Sequence, residues 1–275
     1  MNKLAVSILL ICASGLFTIS QAQQSRESAA VDPTATQWSY QFAVEAFFDY
    51  KTDTMATGAV RPKGNNGFFQ FRWVAPIPKG KLPLTLLPRL TFRMISNSED
   101  DIGIGGSDLF VLGILQDWGT GRFGIGPQIN FPAMDGFGNK KFGYGLASAI
   151  TQRALADKLF FSLLFQQTWS SVPDGSGGSK TQASPLSINP AVVFQLGGGW
   201  YISNGDFVVR YQWDGDNKGW WVPFGLRFGR AFIQPDKTYN AYIEYASSVI
   251  YEDWIGSIPT WSLRFNFQFQ IPVSI

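Results

Sequence analysis

Residues 261 to 271 read Trp-Ser-Leu-Arg-Phe-Asn-Phe-Gln-Phe-Gln-Ile, so that large apolar residues alternate strictly with polar ones. Residues 38 to 50 repeat this pattern, with apolar side chains at every even position from Trp38 to Tyr50. A period of two is typical of a β-strand that has one apolar and one polar face. Both ends of the mature chain are therefore predicted to be strands.

Ten further strands are predicted between these ends, near residues 67 to 77, 83 to 96, 107 to 117, 121 to 132, 141 to 152, 157 to 169, 186 to 197, 205 to 214, 219 to 231 and 238 to 251. The total of about twelve is even, as in single-chain bacterial outer-membrane barrels. With the amino terminus in the periplasm, the long polar connections near 52 to 66, 96 to 106 and 170 to 185 face outward. The pattern therefore predicts an all-β fold, a transmembrane antiparallel up-and-down β-barrel over residues 38 to 275.

Four prolines fall inside predicted strands, at positions 88, 127, 190 and 223. Proline has no backbone N–H to donate to a neighbouring strand. Each of the four therefore predicts a bulge or a shift in the pairing register.

The amino terminus has the order of a secretory signal peptide. Met1-Asn2-Lys3 precedes an apolar stretch from Leu4 to Ile19, which Ser20-Gln21-Ala22 follows. Cleavage is predicted after Ala22, which leaves a polar tail over residues 23 to 37. A transmembrane first helix is the weaker interpretation, because the apolar stretch is short.

The composition restricts the functions that the chain can carry. It has no histidine, which removes the commonest general base and transition-metal ligand. Its one cysteine, Cys12, lies in the predicted signal peptide, so no disulfide or thiolate nucleophile is expected in the mature chain. The net charge is only +2, which does not suggest nucleic acid as a partner. We therefore predict no catalytic residue, no cofactor and no metal site.

The tryptophans help to separate a barrel in lipid from a soluble β-sandwich. Only Trp73 falls in the middle of a predicted strand, and the others lie near strand ends: Trp38, Trp118, Trp169, Trp200, Trp213, Trp220, Trp221, Trp254 and Trp261. Barrels in lipid carry aromatic girdles where their strands leave the hydrocarbon, whereas a sandwich more often buries tryptophan centrally. The placement favours the barrel, and stacking of a ligand on Trp220 and Trp221 is a minor alternative.

Seven charged residues are predicted to point into the barrel. They share the parity opposite to the apolar residues: Glu45, Arg72, Arg89, Arg210, Arg227, Glu244 and Arg264. On the lipid face, a charge at mid-height would cost roughly 2 to 4 kcal/mol. These side chains either fill and rigidify a narrow interior or line a selective path. Glu45, Glu244 and Arg264 are expected to form a charge network where the first and last strands meet.

Three short motifs have simpler structural interpretations than functional ones. Asp214 to Gly219 starts like a calcium loop, but position twelve of the loop is Gly225 and not a glutamate. Gly103 to Gly106 lacks the strand-to-helix setting of a dinucleotide site. Ser98 to Asp101 is an acidic cluster that is either a solvated loop or a place for a divalent cation beside lipopolysaccharide. A hairpin, a turn and a solvated loop are the favoured interpretations.

Several glycine, tryptophan and proline motifs resemble those of a known family. They are Phe123-Gly124-Ile125-Gly126-Pro127, Asn130-Phe131-Pro132, Gly199-Trp200-Tyr201, Gln212-Trp213-Asp214 and Trp220 to Gly225, with Gly106-Ser107-Asp108 and Asn189-Pro190. The chain is similar to the outer-membrane transporter family named for the meta-pathway of phenol degradation. Gly143-Tyr144-Gly145 and the carboxyl-terminal Ile275 depart from that family's pattern.

The resemblance implies a β-barrel that moves aromatic or hydrophobic compounds across the outer membrane of a Gram-negative bacterium. The first hypothesis is a passive channel or transporter for small solutes of this kind. The second is a plugged structural barrel that displays its loops without transport. An enzyme with a carboxylate pair at its rim is a distant third. Expected partners are outer-membrane lipid, lipopolysaccharide and the barrel-assembly machinery.

Overall fold

The computed structural model describes residues 26–32, 34–55, 58–80, 82–173, 179–214 and 218–273, so the predicted signal peptide lies outside the described residues. A short helix, α1 (26–31), comes first. It is followed by the strands β1 (Gln37–Tyr50), β2 (Gly67–Val74), β3 (Leu86–Ser96), β4 (Ile102–Ile104), β5 (Asp108–Asp117), β6 (Gly121–Asn130), β7 (Gly143–Ala154), β8 (Leu159–Pro173), β9 (Ser179–Ala183), β10 (Leu186–Gly197), β11 (Trp200–Ser203), β12 (Val209–Gln212), β13 (Gly219–Ile233), β14 (Thr238–Ile250) and β15 (Pro259–Pro272).

All the strands belong to one antiparallel sheet that closes on itself. β1 pairs with β2 on one side and with β15 on the other, so the first and last strands meet. β11 and β12 share one position in the wall, between β10 and β13, while β4 and β9 extend the ends of β3 and β8. The wall therefore has twelve positions, and the predicted closed antiparallel barrel is confirmed.

The two faces of the wall differ in polarity, as the alternation requires. On β1, Ser39 and Gln41 are buried inside the barrel, whereas Phe42 and Val44 are 43% and 54% exposed on the outer face. Large apolar side chains are exposed in the same way on β13, at Phe224, Leu226 and Phe228. An outer surface of this kind is unfavourable in water and suits hydrocarbon.

Aromatic pairs lie on the outer face near both ends of the barrel. The ring centroids of Trp38 and Trp73 lie 5.9 Å apart at the end where β1 begins and β15 ends, and Phe48 stacks on Trp261 at the opposite end. Trp73 was predicted in mid-strand, but β2 ends at Val74, so its ring lies near the strand end. The girdle interpretation was wrong for two others, which do not face outward: Trp221 lines a cavity, and buried Trp254 packs against it.

The prolines disturb the register less than predicted. Only Pro223 coincides with a register shift, next to Val222. Pro127 and Pro190 keep regular pairing with β7 and β8, and the ladder toward the other neighbour skips these positions. Pro88 lies beside Ala75, immediately after β2 ends. The prediction was wrong for these three because the missing N–H falls where no partner strand needs it.

The described part of the polar tail folds back into the barrel and closes the end where β1 begins and β15 ends. The carbonyl of Ala30 accepts hydrogen bonds from the side chains of Gln270 at 3.0 Å and Asn240 at 3.4 Å. The carboxylate of Asp32 pairs with Arg153 at 3.0 Å. Val31 packs against an interior apolar cluster that consists of Phe160, Val193, Tyr201 and Tyr242. We refer to residues 26–32 and 34–36 as the amino-terminal plug.

A second interior cluster covers the facing wall. Leu87, Phe110, Leu112, Ala147, Ala149 and Leu164 from β3, β5, β7 and β8 form it. Within the described part of the chain, no helix is both long and apolar enough to cross a bilayer.

Candidate functional site

A cavity of about 940 Å³ occupies the half of the barrel nearer the long loops. Lys63, Asn97 and Lys141 from three loops line its mouth, whereas Arg89 and Leu164 from the wall lie deeper along it. The amino-terminal plug fills the opposite end, as described above. We call this cavity the vestibule, because it is wide on the loop side and the plug closes the other end of the barrel.

The vestibule floor depends on a break in one position of the wall. A continuous strand was predicted over residues 205 to 214, but the wall there consists of β11 and β12, and residues 204–208 lie between them. Gly205 allows this departure because its φ is +93°, and a Cβ there would lie 2.8 Å from the Glu244 carboxylate. We call residues 204–208 the inserted segment, since they carry Asp206 and Phe207 to the vestibule.

The inserted segment is bonded tightly to β10. The side chain of Asn204 accepts a hydrogen bond from the Val192 N–H at 2.8 Å and donates one to the carbonyl of Pro190 at 3.0 Å. Asn189 donates to the carbonyl of Phe207 at 2.8 Å. The backbone N–H of Asn204 also donates to the carbonyl of Val192 at 3.3 Å. Asparagine side chains thus supplement a single backbone hydrogen bond on this side.

On its other side, the inserted segment is not paired with β13. The ladder between β11 and β13 begins where Trp200 pairs with Arg230 and ends where Ser203 pairs with Arg227. Pairing with β13 resumes on β12, where Arg210 lies opposite Trp221. Between them, residues 222–226 of β13 have no β-ladder partner in the inserted segment. The wall of the barrel is therefore interrupted along one edge only.

Phe207 lies at this interruption. It lines the vestibule, and its ring centroid is 6.0 Å from that of Phe224. Phe224 is 52% exposed on the outer face of the barrel. A pair of aromatic rings therefore separates the vestibule from the surroundings of the barrel at this point.

The carboxylate of Asp206 lies close to three arginines, each from a different strand. Its carboxylate lies 3.6 Å from Arg72, 3.5 Å from Arg264 and 4.0 Å from Arg227. Glu244 accepts a hydrogen bond from the backbone N–H of Asp206 at 2.8 Å, and also pairs with Arg227 at 3.1 Å. The inserted segment is thereby tied to the wall on β2, β13, β14 and β15.

The seven residues predicted to point inward lie as follows. Six line the vestibule, namely Glu45, Arg72, Arg89, Arg210, Glu244 and Arg264. Arg227 is also inside and lies against Glu244. Glu45 and Arg264 are directly opposite each other in the ladder, with 3.5 Å between their charged groups. Glu244 faces Arg264 in register, but its ion pair is with Arg227.

Two of these arginines are not ion-paired. No carboxylate of the described residues lies within 4.0 Å of Arg89 or Arg210. The guanidinium of Arg89 stacks on Phe110 at 4.2 Å, and that of Arg210 stacks on Trp221 at 4.8 Å. Arg89 is only 8% exposed, and its Nε has no hydrogen-bond partner among the described residues.

Sequence reasoning missed Asp206, which is the centre of the charge cluster. The signal was present as Asn204-Gly205-Asp206, a group of turn residues at the start of a predicted strand. Gly205 and Asp206 were assigned to the start of a continuous strand, because a turn and an inward bulge have the same local composition.

The three short motifs add no further site. The calcium-like motif lies partly outside the described residues, and Gly103 belongs to the small strand β4. In the acidic cluster, Asp100 accepts a hydrogen bond from Asn66, and the backbone N–H groups of Glu99 and Asp101 donate to Asn97. No group of three or more His, Cys, Asp or Glu residues in the described ranges is placed to hold a metal ion.

Solved structures with similar folds include outer-membrane channels. A channel from Pseudomonas putida F1 aligns with a TM-score of 0.63 at 14% identity, over 88% of this chain and all of that one (100%). The NanC porin aligns with a TM-score of 0.51 at 11% identity, over 86% of this chain and 100% of that chain. A deltaS2S3 mutant of the TodX monoaromatic hydrocarbon channel aligns with a TM-score of 0.41 at 10% identity, over 90% and 94%.

The first two alignments show that this chain has the fold of outer-membrane channels. No family model matches the sequence, and no curated protein matches it. Membership of the phenol meta-pathway family therefore stays a prediction.

Proposed function

We propose that the protein is a Gram-negative outer-membrane channel through which small hydrophobic or aromatic compounds pass passively. They enter the vestibule from the loop side and leave sideways into the membrane between Phe207 and Phe224. The apolar outer face then contacts outer-membrane lipid, the loops face lipopolysaccharide, and the barrel-assembly machinery inserts the chain. The proposal includes no cofactor and no catalytic step.

The observation that carries this proposal is the one-sided interruption of the wall. An apolar solute gains nothing by crossing a polar, plugged axis, because its passage would expose it to Gln, Asn and charged groups. At the interruption it meets two phenyl rings, of which one lines the vestibule and the other contacts the surroundings. Movement of the inserted segment, with Phe207, away from Phe224 would connect the two sides.

A reversible cross-link across the interruption tests this exit. The chain has a single cysteine, Cys12 in the predicted signal peptide, so Phe207→Cys with Phe224→Cys gives two unique thiols in the mature protein. A short bifunctional methanethiosulfonate should abolish protein-dependent entry of labelled toluene into cells that produce the double variant. Reduction of the linker should restore entry, because the wall is free to open again.

Each single cysteine variant with the same reagent, and the double variant with a monofunctional reagent, serve as controls. These controls should retain most of the toluene uptake, since none of them links the inserted segment to β13. Unchanged toluene entry after complete cross-linking, verified by mass spectrometry, would refute the sideways exit.

The amino-terminal plug favours a second candidate function, a closed scaffold that displays its loops. Residues of the plug are bonded to β7, β14 and β15 and occupy the terminal end of the barrel. If cells that produce the unmodified protein take up toluene no faster than cells without it, and planar bilayers show no conductance, the scaffold is the correct assignment.

A further inference from the structure

We propose that the vestibule contains a binding site for small aromatic carboxylates, anchored by Arg89 and Arg210. This inference rests on the proposed function only in naming what enters the vestibule. Binding at equilibrium does not depend on the route by which a solute leaves.

The charges around the vestibule floor do not balance. Six arginines lie there, namely Arg72, Arg89, Arg93, Arg210, Arg227 and Arg264. Four carboxylates face them, from Glu45, Asp108, Asp206 and Glu244. The ion pairs described above engage Arg72, Arg227 and Arg264, and Arg93 lies 3.9 Å from Asp108. The remaining two cations are Arg89 and Arg210.

A buried arginine without an anion is costly, because its donors lose water and gain no charged acceptor. Arg89 meets this description, since it is 8% exposed, lines the vestibule and has an unpartnered Nε among the described residues. Arg210 lines the same cavity and makes no hydrogen bond with a described side chain or backbone group that would occupy its donors. A carboxylate from solution supplies the planar, bidentate acceptor that a guanidinium fits best.

The surroundings of the two cations favour an aromatic ligand over an inorganic anion. Each guanidinium lies on an aromatic ring, Phe110 or Trp221, so a cationic group and an apolar surface occur side by side. Phe68, Phe131 and Phe207 add further rings to the vestibule lining. A ligand with one carboxylate and one ring satisfies both features at once.

Benzoate binding to the full mature protein in detergent, measured by equilibrium dialysis, tests the proposal. Benzoate should bind saturably, and benzyl alcohol and acetate should bind at least about tenfold more weakly, because each lacks half of the recognised chemistry. Arg89→Gln and Arg210→Gln should each weaken benzoate binding about tenfold or abolish it. Heat-modifiable migration on gels identifies which variants retain a folded barrel, and either folded variant suffices.

Arg230→Gln is the matched control. Arg230 also stacks on two aromatic rings, Trp200 and Phe232, and makes no described ion pair, but it lies on the outer side of β13. Its replacement should leave benzoate binding unchanged. An equal loss in this variant, or equal binding of acetate, would overturn the proposal.

Failure of this inference and failure of the proposed function give different results. If benzoate does not bind but the cross-link still stops toluene entry, only the carboxylate site is wrong. If benzoate binds at Arg89 or Arg210 while the cross-link has no effect, the site stands and the sideways exit is wrong.

Discussion

Two positions in the barrel wall are built in opposite ways. Where β1 meets β15, pairing runs from Gln37 with Pro272 to Tyr50 with Pro259, and Glu45 opposes Arg264 within it. Where β11 gives way to β12, five residues leave the wall, and β10 bonds to them through asparagine side chains and one backbone hydrogen bond. The strands that close the barrel are thus held continuously, and the weak edge lies inside the sequence, opposite β13. A barrel can therefore have an opening without having a free sheet edge at its termini.

Among the substitutions that test this comparison, Asp206→Ala should lower the free energy of unfolding most. It leaves Arg72 without its one carboxylate of the described residues within 4.0 Å, whereas Arg227 keeps Glu244 and Arg264 keeps Glu45. An uncompensated buried charge such as that of Arg72 costs about 3 kcal/mol or more. We expect the free energy of unfolding in lipid vesicles, measured by urea titration, to fall by about that amount. Asp117→Ala is the control, because its pair with Arg122 is solvent-exposed and should contribute at most about 1 kcal/mol. Equal losses in the two variants would show that Asp206 does not hold the inserted segment.

A smaller effect is expected on the bonded edge, from Asn204→Ala. The change leaves the N–H of Val192 and the carbonyl of Pro190 without their side-chain partners, at a cost of about 1 to 3 kcal/mol. Backbone hydrogen exchange at Val192 should become faster as this edge opens. Asn139→Ala, which removes a bond to Ser170 in an exposed loop, should leave that exchange rate unchanged. Protection of Val192 equal to that of the unchanged protein would contradict the role given to Asn204.

The smallest effect is expected at the closing strands, from Phe48→Ala. Phe48 stacks on Trp261 with 4.0 Å between ring centroids, and such a pair contributes about 0.5 to 1.5 kcal/mol beyond the area it buries. Because the ladder continues on both sides of the pair, the barrel should remain closed, and only the unfolding free energy should decrease slightly. Val44→Ala, on the same face of β1 and at a residue that has no aromatic ring to stack, provides the baseline. A loss of heat-modifiable migration in the Phe48 variant would show that closure depends on this contact.

The strands and their inner faces could be predicted from the sequence, whereas the ion pairs of the site could not. Alternation places Glu45 and Arg264 on the inner face, because a strand has only two faces and one of them is apolar. Alternation says nothing about which of the six arginines at the vestibule floor receives a carboxylate. That choice depends on Asp206, whose position follows from the left-handed backbone of Gly205 and from the space beside Glu244.

The sequence by itself determines the barrel, its inner and outer faces and the strands that close it, since these follow from a local period of two and from the energy of charge in hydrocarbon. Only the tertiary structure decides that the amino-terminal plug closes one end, that Asp206 lies close to three arginines, and that Phe207 meets Phe224 at an unpaired edge. These contacts join residues that are far apart in the chain, and many interior pairings satisfy the same local pattern. One of these pairings forms because the inserted segment places the Asp206 carboxylate within 4.0 Å of arginines from three strands.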